Sequence, residues 1–237
     1  MAPSFFYINI SSPTIYEAGL KRIKGDSKSQ KRPKALSFTE GRFFDTIMGM
    51  KKQVLICHAY NTPPSENWYE WFAGLLNGRG YDAKVLQLPN PSAPSEEEWV
   101  ESIKSAHTSD SIRFVGHSLG CRAILAYLNQ YNVQAEKVVL VGCPIFWDGV
   151  IETRPPLKAY VEGMQELDFE KLKNLVKRFD LFHDSTDPIL PMKNVEYLKK
   201  VFGEKAVIHT FDKYGHFDVS EVPELAELFS SFGPVGD

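Results

Sequence analysis

The sequence predicts an α/β fold of three layers, with a mostly parallel six-stranded sheet flanked by helices. Three observations lead to that expectation. From Gln53 onward, short and nearly all-apolar runs recur, as strands buried on both faces require. Segments of helical periodicity lie between them, which makes the neighbouring strands parallel. Glycines, prolines and capping residues stand at the junctions.

Taken in order, residues 53–58 (Gln-Val-Leu-Ile-Cys-His) form the first expected strand. A helix is expected over 66–77, its apolar stripe made of Trp68, Trp71, Phe72, Leu75 and Leu76, with Gly78-Arg79-Gly80 ending it. The next strand is expected over 83–88, followed by a loop stiffened by Pro89, Pro91 and Pro94. Ser95, with Glu98 three residues on, has the pattern of a helix N-cap. Further strands are expected over 111–116, 137–142, 179–182 and 206–211. Helices are expected over 119–130, 167–178, 192–202 and 223–232, and 144–166 reads as irregular.

A chain of 237 residues, 43% hydrophobic and 24% charged, suits one soluble α/β domain rather than two. Its net charge of −3 gives no reason to expect nucleic acid as a partner. The three cysteines, Cys57, Cys121 and Cys143, are widely spaced beside apolar runs and read as reduced, buried thiols. No segment has the length of apolar sequence that spans a membrane, and no basic residue precedes the short apolar patch Phe5-Phe6-Tyr7-Ile8 as in a secretory signal. The expected location is therefore cytoplasmic.

The first fifty residues differ from the rest. Lys21, Arg22, Lys24, Lys28, Lys31, Arg32 and Lys34 are opposed only by Asp26, and such a run buries too little apolar surface to order itself. The expected organisation is a basic, flexible extension over 1–50 and a folded domain over 51–237, with Met50 available as an alternative start.

The chemistry concentrates around Gly116-His117-Ser118-Leu119-Gly120. A strand runs into this Gly-x-Ser-x-Gly motif and a helix leaves it, the context of a sharp turn that lifts a serine hydroxyl to the carboxyl edge of a sheet. The flanking glycines remove Cβ atoms that would collide there. Ser118 is thus the candidate nucleophile, and it needs a base to take its proton. His216, in Tyr214-Gly215-His216-Phe217 after the last strand, is the candidate base. His117 should pack under the turn, while His58, His183 and His209 read as strand-end or in-strand residues. The acid that orients the base is expected to be Asp187, in the Pro188- and Pro191-stiffened loop after the fifth strand, with Asp184 and Asp148 as rivals. The order Ser118, Asp187, His216 is the order of α/β-hydrolases. One oxyanion donor is expected at Leu119 N–H and the second in the loop after the first strand, at Tyr60 with Ala59 or Asn61 as alternatives.

With these motifs in place, the chain resembles the retinoblastoma-binding-protein-nine group of small serine hydrolases, within the α/β-hydrolase superfamily. The likeness runs from about Val54 to Phe232 and includes Asn67-Trp68-Tyr69-Glu70-Trp71, Leu88-Pro89-Asn90-Pro91 with Trp99, the elbow, the acid loop and Gly215-His216-Phe217. It implies the α/β-hydrolase fold, no metal or other cofactor, and a Ser-Asp-His triad on Ser118, Asp187 and His216. The chain departs from the group in its first loop, His58-Ala59-Tyr60-Asn61-Thr62-Pro63-Pro64, where a glycine-rich run is common.

The expected activity is hydrolysis of carboxylic esters with small or accessible acyl groups, through an acyl-enzyme. Residues 144–166, with Phe146, Trp147, Tyr160 and Met164, read equally as a small cap over the acyl pocket or as a packed surface loop. The partner expected is a small-molecule ester or related acyl compound, with neither nucleic acid nor membrane. A protein partner is compatible with the sequence but not indicated by it. Two alternatives stay open: a thioesterase, amidase or peptidase with the same triad, and a partner-binding protein of this fold with little turnover.

Overall fold

The computed structural model describes residues 52–147 and 149–229, all within the unit Gly49–Asp237. The expected basic extension over 1–50 lies outside the described residues, as do Asp148 and the last residues of the expected closing helix.

Six strands form one sheet in the order β2-β1-β3-β4-β5-β6, and every neighbouring pair is parallel. The strands are β1 (Gln53–Cys57), β2 (Asp82–Val85), β3 (Ile112–His117), β4 (Lys137–Val141), β5 (Phe179–Asp184) and β6 (Ala206–Phe211). The helices are α1 (Tyr69–Gly78), α2 (Glu96–Ala106), α3 (Leu119–Tyr131), α4 (Val150–Thr153), α5 (Leu157–Gly163), α6 (Phe169–Leu175), α7 (Lys193–Phe202) and α8 (Pro223–Glu227).

Side-chain alternation along the strands builds the three layers. Leu55, Cys57, Phe114, Val138, Leu140 and Leu181 face one side, where they meet Trp99 and Ile103 of α2, the buried stripe of α3, and Leu198 and Phe202 of α7. The intervening residues Val54, Ile56, Val115, Val139, Val141 and Phe182 face the other side, against Phe72 and Leu76 of α1 and Leu225 of α8. Both faces of the sheet's centre are covered, which is why β1 and β4 read as near-continuous apolar runs, whereas the edge strands β2 and β6 are partly exposed.

Several expected boundaries shift for local reasons. The first helix begins at Tyr69 rather than residue 66, because Glu66 N–H closes a turn onto Pro63 C=O and Asn67 takes a left-handed φ of 54°. The second strand ends at Val85 rather than residue 88, since Leu88 N–H leaves the sheet to bond His58 Nε2 and Pro89 has no N–H to offer. Ser95 does cap α2, its Oγ accepting from Glu98 N–H at 3.4 Å. The helix expected over 167–178 spans Phe169–Leu175, capped by Asp168 and ended where Val176 bridges to Ala135. The stretch 144–166 is not wholly irregular, for it contains α4 and α5. Among the described residues no helix is long and apolar enough to cross a membrane.

Candidate active site

The carboxyl edge of the sheet gathers loops from β1, β3, β4, β5 and β6. Ser118 stands at the end of β3 with φ 49° and ψ −118°, a conformation that costs on the order of 1–3 kcal/mol in a non-glycine residue. The surroundings hold it there. Ser118 N–H donates to Val141 C=O at 2.8 Å, and Ser118 C=O accepts from Cys121 N–H at 3.0 Å. A Cβ on Gly116 would lie 2.7 Å from Cys121 N, and one on Gly120 would lie 2.4 Å from Cys57 O. Both elbow glycines are therefore required by close backbone approach, and α3 starts immediately after the serine with its positive end beside Oγ.

His216 Nε2 lies 2.9 Å from Ser118 Oγ, and its Nδ1 lies 2.7 Å from Asp187 Oδ2. With Nδ1–H donated to the carboxylate, Nε2 is left to accept from the serine hydroxyl. Gly215 (φ 56°) and Phe217 (φ 62°) turn the chain sharply on either side of the ring, and buried Phe217 packs against Phe211 and Tyr214 to fix that turn. On the ring's other side is Gly142, where a Cβ would come within 3.4 Å of His216 Cε1.

Asp187 Oδ1 accepts from Ile189 N–H at 2.8 Å and Leu190 N–H at 2.9 Å, leaving Oδ2 for His216. Burial acts to raise the Asp187 pKa, but the bonds from His216, Leu190 and Ile189 outweigh it, so the carboxyl is held below its ordinary value. Asp184 has a different task. Its Oδ1 accepts from the Thr186 N–H and hydroxyl, and its Oδ2 accepts from Lys213 and Tyr214 N–H. Asp184 thereby ties the acid loop to the loop that carries His216. The third rival, Asp148, lies outside the described residues.

The remaining histidines are placed elsewhere. His58 is buried, with Nε2 accepting from Leu88 N–H and Nδ1–H donating to Ala59 C=O. His183 is buried within β5, and His209 Nε2 bonds Asp180 Oδ1 at 2.9 Å. His117 does lie beneath the elbow, fully buried. Its Nε2–H donates to His216 C=O at 2.7 Å and its Nδ1 accepts from Tyr69 hydroxyl at 2.6 Å. Tyr69 in turn accepts from Ala59 N–H at 3.1 Å. A hydrogen-bonded chain thus runs from the loop after β1, through Tyr69 and His117, to the backbone of the candidate base. Sequence reasoning missed Tyr69; its place in the Asn67–Trp71 run was the available signal.

Burial lowers the His117 pKa to about 3. The unfolded chain binds a proton at this side chain near the ordinary value of about 6.5, whereas the folded chain does not. Stability therefore falls as pH drops through 6.5 and continues to fall toward the folded value. Gln at this position does not titrate. Between pH 7 and 4.5, urea unfolding of wild type is expected to lose about 2 kcal/mol more stability than that of His117→Gln. Equal losses would show that His117 is not the acid-sensitive group.

Two of the three backbone N–H groups considered as second oxyanion donor are already engaged. Ala59 N–H donates to Tyr69 hydroxyl and Asn61 N–H to Pro91 C=O at 2.7 Å. Tyr60 N–H has no acceptor among the described residues. Leu119 N–H, first in α3, has no helical partner four residues back.

A cleft of about 350 Å³ opens over Ser118, Leu119 and His216. Asn61, Glu66, Asn67 and Asp218 contribute polar lining, while Trp147, Val150, Leu157, Ile189 and Leu190 contribute apolar lining, with Arg154 among them. Of the four side chains considered for a cap, Trp147 lines the cleft. Tyr160 is buried against Trp99, Phe146 packs on Tyr197, and Met164 sulfur accepts from Arg122 Nε. The 144–166 segment is thus part cleft wall and part packed surface. Among the described residues no group of three or more His, Cys, Asp or Glu side chains is arranged to hold a metal ion.

Comparison with known proteins places the chain in a family. The family model described as serine hydrolase matches residues 54–224. YdeN of Bacillus subtilis (strain 168), named as a hydrolase, is 29% identical over 190 residues, which cover 77% of this chain and 97% of that protein. The crystal structure of the ydeN product superposes with a TM-score of 0.64 at 25% identity, over 76% of this chain and 98% of that one. Est1E from Butyrivibrio proteoclasticus, solved with ferulic acid bound, gives a TM-score of 0.62 at 13% identity, over 76% of this chain and 87% of that one. The Pyrococcus furiosus esterase Pf2001 gives 0.57 at 14% identity, over 76% and 80%. These last two share the α/β-hydrolase fold with this chain.

Proposed function

The chain belongs to the serine hydrolase family, and on that premise we propose that it hydrolyses carboxylic esters through Ser118, His216 and Asp187. The observation that carries the reading is His216, bridging Ser118 Oγ at 2.9 Å and Asp187 Oδ2 at 2.7 Å. Ser118 Oγ attacks the carbonyl carbon as its proton passes to His216 Nε2, and ionised Asp187 stabilises the imidazolium. Leu119 and Tyr60 N–H receive the oxyanion, each such donor being worth about 3 kcal/mol in the transition state. The C–O bond to the leaving alcohol then breaks as His216 returns the proton to that oxygen. Water, deprotonated by His216, attacks the acyl-enzyme and frees Ser118 and a carboxylic acid.

The cleft volume lies near the lower end of the roughly 300–1,000 Å³ of small-molecule sites, which supports small acyl groups over long lipids. The narrower assignment to the retinoblastoma-binding-protein-nine group is supported by what its marker residues do. Trp68 and Trp99 are fully buried, and Tyr69 joins the chain to His117. The three free, buried thiols support a cytoplasmic, reducing location.

A panel of esters, thioesters and amides with one acyl group tests the proposal. Ester turnover is expected to be highest; highest turnover of amide or thioester would replace the substrate class, and none at all would favour a partner-binding role. Run on a chain starting at Met50, the same panel tests the domain reading. Undiminished turnover would place the chemistry within 51–237.

A further inference from the structure

We infer that Arg154 makes this hydrolase selective for substrates carrying an anionic group, a carboxylate in the simplest case, in the part that lies against the α4–α5 wall of the cleft. The inference rests on the ester-hydrolase reading and names the substrate class of that same site.

Strand order sets the argument. β3 carries Ser118 at its end, with β1 on one side of it and β4 on the other. The segment after β1 and the segment after β4 therefore flank the nucleophile as two opposed walls. Their chemistry differs. The β1 wall carries Glu66 and Asn67, and Asn67 Nδ2 donates to Asp218 Oδ1 at 3.2 Å, which joins a second carboxylate to that side. Among the described residues that line the cleft, the β4 wall is apolar except at one point. Val150 and Leu157 are buried, and half-buried Arg154, four residues beyond the first and three before the second, lines the same cleft.

That guanidinium has no carboxylate partner among the described residues. Its one hydrogen bond runs from Nη1 to the neutral Thr153 Oγ1 at 3.1 Å. The contrast is Arg122, which sits buried against Glu96 at 3.1 Å and serves packing. Most of the Arg154 donor fork thus has no acceptor among the described residues, and a planar fork of this kind matches a carboxylate bidentately. Neighbouring apolar side chains exclude water and strengthen the attraction. Glu66 and Asp218 repel the same anion from the opposite wall. The two walls thus orient a substrate as well as select it.

Two matched ester pairs test this. Mono(4-nitrophenyl) glutarate against 4-nitrophenyl pentanoate places the anion in the acyl part. 4-Carboxyphenyl acetate against 4-carbamoylphenyl acetate places it in the leaving group. The quantity read is the anionic-to-neutral ratio of kcat/KM within each pair. Wild type is expected to favour the anionic member of one pair. In that pair Arg154→Gln should lower the ratio about tenfold, Arg154→Glu should lower it further, and Arg154→Lys, which keeps the charge but not the fork, should fall between wild type and Arg154→Gln. Added salt should also reduce the wild-type ratio. A ratio that Arg154→Gln leaves unchanged in both pairs overturns the inference.

Calorimetric binding of monomethyl glutarate and methyl pentanoate to Ser118→Ala, with and without Arg154→Gln, reads selectivity without turnover. If no ester is hydrolysed but the glutarate binds in an Arg154-dependent way, the hydrolytic reading fails and the anion site stands. Hydrolysis without any Arg154 dependence of rate or binding leaves the hydrolase and removes the site.

Discussion

Ser118→Ala is expected to lower kcat/KM on a 4-nitrophenyl ester by about 10⁴-fold or more while leaving the fold intact. The size follows from what the side chain does. Without Oγ no acyl-enzyme forms, so the reaction loses its two-step route and keeps only oxyanion stabilisation and binding. The fold should survive because the strained backbone at residue 118 is held by main-chain bonds to Val141 and Cys121, not by the hydroxyl. Steady-state kinetics beside circular dichroism and urea unfolding check both halves. A drop of less than tenfold in a folded variant would remove Ser118 from the nucleophile's role.

Asp187→Asn should be nearly as severe, about 10³- to 10⁴-fold in kcat. An amide facing His216 Nδ1 favours the tautomer with the proton on Nε2, which then points a donor at Ser118 Oγ instead of an acceptor. It also removes the charge that balances the imidazolium. Asp184→Asn is the informative control, since its oxygens serve Thr186, Lys213 and Tyr214 rather than His216. That variant should lose about 1–3 kcal/mol of stability through buried donors left unpaired, with a much smaller fall in kcat. The reverse ranking in kcat would exchange the two aspartates. Because Asp187 is held below the ordinary carboxylate range, it stays ionised as pH falls through that range, and activity should not be lost there through its protonation.

The sheet was legible in the sequence because central strands covered on both faces, such as β1 and β4, leave near-continuous apolar runs, and all six strands lie within or overlap the segments expected. The elbow was legible because two glycines bracket one serine between strand and helix, and the clashes at Gly116 and Gly120 show why no larger residue fits. Ser118, Asp187 and His216 were nominated from separate loops, and His216 lies within hydrogen-bonding distance of the other two.

What was not legible depends on contacts between distant residues. The sequence favoured Tyr60 but left Ala59 and Asn61 as alternatives; Tyr69, ten residues beyond Ala59, and Pro91, thirty beyond Asn61, engage those two. It nominated Asp187 over Asp184 as the acid, but not the task of Asp184, which is set by the direction its carboxylate takes after β5. The short reach of β2 follows from His58 capturing Leu88 N–H, again a contact that periodicity does not register. Arg154 lay in a stretch with no strong periodicity, and strand order together with the cleft lining shows that its segment flanks the nucleophile on the side opposite that of Glu66.

The central claim is that Ser118 is an activated nucleophile. Intact-protein mass spectrometry after treatment with a fluorophosphonate, followed by peptide mapping, tests it most directly. One adduct per chain is expected, on the peptide containing Gly116-His117-Ser118-Leu119-Gly120, absent from Ser118→Ala and strongly slowed in Asp187→Asn. No adduct on wild type, or an adduct that persists in Ser118→Ala, would contradict the account.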